Sequence, residues 1–173
     1  MSCHIARMVS LAKWEHSKGI PRNTIPGDAV NDLRSTANAL SFWRCDPAST
    51  STMEDVVVAL ASARPKIEKI DILWFHVKRV KYIGVRLENN LGDTPAGNLN
   101  QHHVDVAGLN IDRIVRLARA CEAAIKAGQC RVYTKMEVTR LLRTAVDTGV
   151  LDLKLLKGEL PEKIRAFKVG QKS

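Results

Sequence analysis

Aromatic side chains are scarce: Phe, Trp and Tyr make up 5% of the 173 residues. Most of them lie inside apolar runs, which excludes a multi-ring platform for stacking single-stranded nucleic acid. Long hydrophobic runs are missing as well. The longest uncharged apolar stretch is VVVALASA, residues 56–63, far below the roughly 20 residues of a membrane span. The N-terminal MSCHIARMVSLAKWEH has neither the apolar core nor the small-residue cleavage site of a signal peptide. A cytoplasmic protein without membrane contact is the expectation. Four cysteines, Cys3, Cys45, Cys121 and Cys130, are widely spread with no CxxC pair, so zinc-ribbon and thioredoxin chemistry have no foothold. No P-loop, GxGxxG, HExxH, GxSxG or paired-carboxylate motif occurs, and no named reaction has a positive argument. Neither a cofactor nor a metal is expected.

Positive charge is what the chain does have. Lys and Arg number 27 against 18 Asp and Glu, a formal net charge of +9. The first 60 residues hold six basic and six acidic side chains, so the whole excess falls in residues 61–173. A basic excess placed this way points to a polyanion, with nucleic acid the commonest candidate. The plain alternative is a solvated face that keeps the protein soluble.

Length and composition fit one globular domain with its own core. The segment HSKGIPRNTIPGD, residues 16–28, reads as a Pro/Gly loop. Asp28 then predicts a helix with Val30, Leu33, Ala37 and Leu40 on one face. SFWRC, residues 41–45, reads as a strand. Ser51 and Glu54 read as a capping box for a buried helix over about 52–64, ended by Pro65. IDILWFH, residues 70–76, has the length and continuous apolarity of a strand covered on both faces. KYIGVRLENN alternates like a half-buried strand. Asn110 caps a predicted helix over 111–127 that Gly128 ends, with Cys121 beside Ile114 and Ile125 on its core stripe. Thr134 and Glu137 form a second capping box for a helix over 135–147, and Pro161 opens a short later one. The fold class is α/β or α+β: a single domain with a mixed sheet over residues 1–128 and a helical extension or subdomain over 129–173.

Three groups of residues carry chemical potential. In NQHHVDVAGLNIDRIVRL, residues 100–117, alternation on an extended segment places His103 and Asp105 on one side and Val104 and Val106 on the other. With Asp93, these are the candidate catalytic residues, and His4 or His76 could join from elsewhere. A His–Asp pair can orient a general base, whereas a metal site needs three or four converging ligands. Otherwise they form a hydrogen-bonded surface pair. The second group is basic: Lys78, Arg79 and Lys81, then Arg113, Arg116 and Arg119 at three-residue spacing, then Arg140 and Arg143. Repeated cations of this kind suit phosphate contact. Asp112–Arg116 and Glu122–Lys126 have the four-residue spacing of ordinary helix pairs. The connection between the two long helices exceeds a helix-turn-helix turn. The third group, Cys3, His4, Arg7, Lys13, Glu15, His16, Arg22 and Arg44, could line a cleft at strand ends or be ordinary surface. Trp43 and Trp74 read as core; Trp14 is the tryptophan placed to be partly exposed.

The leading expectation is a small binding or regulatory protein that meets nucleic acid or another polyanion through its basic surface. The alternatives are a hydrolase or transferase built on the His/Asp pair, and a helix-mediated partner protein or homo-oligomer.

Overall fold

The computed structural model describes residues 4–15 and 24–167. Six strands form one sheet: β1 (His4–Val9), β2 (Ala39–Cys45), β3 (Ile70–His76), β4 (Arg86–Glu88), β5 (His103–Ala107) and β6 (Cys130–Tyr133). Their order is β4-β5-β2-β1-β3-β6, and every pairing is antiparallel. The helices are α1 (Gly27–Val30), α2 (Thr50–Ser62), α3 (Lys78–Ile83), α4 (Ile111–Lys126), α5 (Lys135–Asp147) and α6 (Leu160–Ala166). This is a single mixed α/β domain. Among the described residues no helix is long and apolar enough to cross a membrane.

Alternating strand residues feed two cores. On one face Ala6, Trp43, Ile70 and Ile72 pack with side chains of α2, α5 and α6, such as Val57, Leu142 and Leu160. On the other, Ile5, Phe42, Phe75, Val104 and Val106 meet Val80 of α3 and Leu117 and Cys121 of α4. Double coverage is why IDILWFH is apolar on both faces apart from Asp71 and His76, although its neighbours run antiparallel.

Two of the three predicted side-chain caps form. The Asn110 side chain accepts from the amide of Arg113 at 2.9 Å, and Thr134 with Glu137 forms the reciprocal box. Gly128 and Gly149 end their helices at φ 70° and 75°.

Elsewhere long-range contacts override local pattern. The predicted helix after Asp28 is only the single turn of α1 and a 3-10 turn over Asn31–Leu33. Its continuation would need the Asp32 carbonyl, which instead accepts Nε and Nη2 of Arg7 at 3.0 and 2.8 Å. The chain then turns through Ala37 and Asn38, both at positive φ, into β2. KYIGVRLENN is split: its first residues finish α3, where Val80 and Ile83 are buried one turn apart, and Gly84 at φ 81° stops the helix. Only Arg86–Glu88 remains a strand. The Ser51–Glu54 box does not form. The Thr52 hydroxyl bonds to Asp46 and Ser49 in its place, and Glu54 reaches Arg140 of α5. The span 129–173, read as a helical extension, also contributes β6, which pairs with β3.

Trp14 is buried, not displayed. Its Nε1 donates to the Asp32 carboxylate at 3.0 Å, which also accepts the Ser10 amide at 2.7 Å and Lys13 Nζ at 3.1 Å. Asp32 thereby fixes the turn after β1 to the segment before β2. Asp32→Ala leaves these donors without their acceptor and is expected to lower unfolding stability by about 2–4 kcal/mol. Urea denaturation measures it, and a loss below about 0.5 kcal/mol would contradict the role of the hub.

Candidate functional site

The His103–Asp105 pair forms as alternation requires, with Val104 and Val106 buried on the opposite face. His103 Nε2 lies 3.7 Å from Asp105 Oδ1, and its Nδ1 is 3.0 Å from the Asn90 carbonyl. Asn90 Nδ2 donates to Asp105 Oδ2 at 2.8 Å and Ser41 Oγ to Oδ1 at 3.4 Å. The Trp43 ring meets His103 edge-on at 5.4 Å. Both side chains are mostly covered, 11% and 19% exposed, so this is not the open surface pair that the pattern alone allows. Ser41 donates to the aspartate rather than to the imidazole, which gives no serine–histidine relay. Asp93 is exposed and forms no bond to either. His4 and His76 pack edge-on at 5.1 Å at the row where β1 and β3 pair, apart from this pair. Burial and then His76 hold His4 below its ordinary pKa, against the pull of Asp46. Among the described residues no three His, Cys, Asp or Glu side chains group to hold a metal. Of the remaining N-terminal candidates, Cys3, His16 and Arg22 lie outside the described residues.

A cleft that sequence spacing does not reveal opens beside the first turns of α2. Its volume is about 620 Å³, over a floor of Trp43, Cys45 and Val56 with Arg44, Asp46, Thr52, Asp55 and His102 among its polar walls. Arg44 Nη2 donates to Asn89 Oδ1 at 2.7 Å. Burial raises the Asp55 pKa, His102 opposes the rise and Glu54 adds to it. The Cys45 thiol, pushed by burial to about 12, is no nucleophile at neutral pH. Alternation gave one hint of this site, since His102 must face away from His103. Asp55 gave none, because its neighbourhood is assembled from three separate elements.

The eight basic candidates divide between the two sides of the sheet, and none lines that cleft. Lys78, Arg79 and Lys81 are exposed on α3; Arg116 and Arg119 are exposed on α4, and Arg113 is half-buried there. These helices pack together over the same core. Arg113 Nη1 donates to the Gly108 carbonyl at 2.6 Å. Among the described residues none of the six forms an ion pair; the Asp112–Arg116 spacing yields none, whereas Glu122–Lys126 closes at 2.7 Å. Arg140 and Arg143 belong to α5 on the opposite face, paired with Glu54 at 3.4 Å and Asp147 at 2.9 Å. Together α3 and α4 hold seven basic residues against Asp112 and Glu122. In α2, α5 and α6 five basic residues face five acidic ones. Tyr82 of α3 is 86% exposed, an aromatic displayed among cations.

The Asp55 environment makes a checkable statement. A carbon-13 titration is expected to place its midpoint above the ordinary 3.8, and His102→Ala moves it higher still. A raised carboxyl pKa means that the folded state binds the proton more tightly than the unfolded one. The cost of ionisation is therefore absent below the unfolded pKa and complete above the folded one, so Asp55→Asn gains stability at neutral pH. A midpoint at or below the ordinary value would contradict the burial of this carboxyl. Comparison with known proteins returns no matching family model, no matching curated protein and no matching solved structure.

Proposed function

We propose that the protein binds nucleic acid through the face formed by α3 and α4. The observation that carries this reading is the set Lys78, Arg79, Lys81, Arg113, Arg116 and Arg119: six cations on one helical layer without a carboxylate in ion-pair contact among the described residues. Exposed cations next to one another repel, and a phosphate backbone relieves that repulsion while releasing its own counterions. The arginines add planar, two-pronged contact to phosphate oxygens. Tyr82 supplies one ring on which an unpaired base can stack. Exposed lysines and arginines on this face suit backbone phosphates, so the contact is tolerant of sequence. The hydrolase reading through His103, Asp105 and Asp93 lacks a comparable support, because Asp93 stands exposed and forms no bond to His103 or Asp105.

Mobility-shift titrations with generic single-stranded and duplex DNA and RNA test the proposal. If about six phosphates are contacted, affinity falls roughly 1000-fold between about 50 and about 200 mM salt. The chain carrying Lys78→Ala, Arg79→Ala and Lys81→Ala is expected to lose at least about tenfold in affinity and to show a shallower salt slope. Arg140→Ala with Arg143→Ala is expected to leave binding unchanged. No shift at low salt, or equal losses in both variants, overturns the reading.

A further inference from the structure

Among the described residues β1 and β2 pair from His4 to Ala6, against Cys45 to Trp43, and then part. Arg7 crosses the opening. Its Nη1 donates to the Ser41 carbonyl at 2.7 Å, while Nε and Nη2 hold the Asp32 carbonyl. All its described hydrogen bonds therefore go to main-chain oxygens, and no carboxylate among the described residues lies in ion-pair contact with it. Beside it a cleft of about 660 Å³ lies over β2, β5 and β4, and Arg7, Arg34 and Arg86 line it together with Asn38, Ser41 and Asn90.

Two carboxylates also line this cleft, and each already has partners. Glu88 accepts Nε and Nη2 of Arg86 at 3.2 and 3.1 Å, and Asp105 accepts from Asn90 and Ser41. The Arg34 side chain has no described partner. A fourth guanidinium stands at the rim: a Cβ on Gly108 would lie 3.5 Å from Nη1 of Arg113 and 3.6 Å from Nη1 of Arg86. Two like-charged guanidiniums thus approach one glycine, which sits at φ +77°. Arginines arriving from β1, the loop before β2, β4 and α4 approach from different directions. That arrangement suits a compact, multiply charged oxyanion better than a flat carboxylate, which one fork satisfies.

We propose that this cleft is a phosphate-monoester site, in which Arg34 and Arg86 hold the phosphate oxygens and Arg7 and Arg113 supply the surrounding positive field. The phosphate belongs either to a free nucleotide or to the phosphorylated end of a strand lying on α4. The site shares only Arg113 with the α3/α4 surface and stands independently of it.

Calorimetric titration with inorganic phosphate, adenosine monophosphate and adenosine tests it at low ionic strength. The first two are expected to bind saturably and adenosine not to bind. Arg34→Ala with Arg86→Ala alters two exposed side chains, so the fold is expected to persist, checked by its melting temperature, while phosphate affinity drops at least about tenfold. The chain with Lys78, Arg79 and Lys81 replaced by Ala keeps phosphate binding, which separates failure of this site from failure of the strand-binding surface. A short oligonucleotide with a 5′-phosphate that binds more tightly than its 5′-hydroxyl form identifies a strand end as the source; equal binding identifies a free nucleotide. Absence of saturable phosphate binding, or an affinity unchanged in the double variant, overturns the proposal.

Discussion

Burial of both faces of the sheet is the constraint on which the rest of the molecule depends. Strands β1, β2 and β3 each send alternate side chains into two separate cores, and clefts open where that cover ends, over Trp43 and Cys45 and over Ser41. Charge is pushed to the outer sides of the helices and to the uncovered part of the sheet over β2, β5 and β4. The two helical layers then take different characters. The layer of α2, α5 and α6 is balanced in charge and cross-linked by ion pairs such as Arg140–Glu54. The layer of α3 and α4 is strongly basic, and among the described residues its six leading cations form no ion pair.

The interruption between β1 and β2 is held open by two polar groups that work as a unit. Arg7 spans the gap by bonding to carbonyls on both sides, and the Asp32 carboxylate gathers Ser10, Lys13 and Trp14 behind it. A half-buried guanidinium bound to carbonyls keeps its charge; burial lowers the Arg7 pKa, opposed by Cys121 and Asp32, yet it remains a cation at neutral pH. The same contacts that secure the turn after β1 thus present a positive charge to the cleft. Stability and binding capacity come here from one set of hydrogen bonds.

Legibility followed the range of the interaction. IDILWFH, the Asn110 cap and the Thr134–Glu137 box depend on residues within a few positions of one another, and each takes its expected place. The helix expected after Asp28 fails because its backbone acceptor is claimed by Arg7, 25 residues earlier in the chain. β6 is four residues long and carries Cys130 and Arg131, so only its partner strand makes it a strand. Among site residues, the His103–Asp105 pairing was readable from a period of two. The basic side chains were readable as a list but not as a surface. Which side of a sheet a helix covers is settled by long-range packing, and that separates Arg140 and Arg143 from the other six. The Asp55–His102 cleft and the Arg7–Arg34–Arg86 cleft are built across distant segments, beyond the reach of local spacing.

The central claim is that the α3/α4 layer, and not the α5 layer, meets phosphate. Nuclear magnetic resonance of the intact chain, following backbone amide and arginine Nε–H signals during titration with a short single-stranded DNA at low salt, tests it most directly. The account predicts shifts concentrated at residues 78–83 and at Arg113, Arg116 and Arg119, with Arg140 and Arg143 unmoved. Shifts centred on α5, or a spectrum indifferent to the DNA, would contradict it.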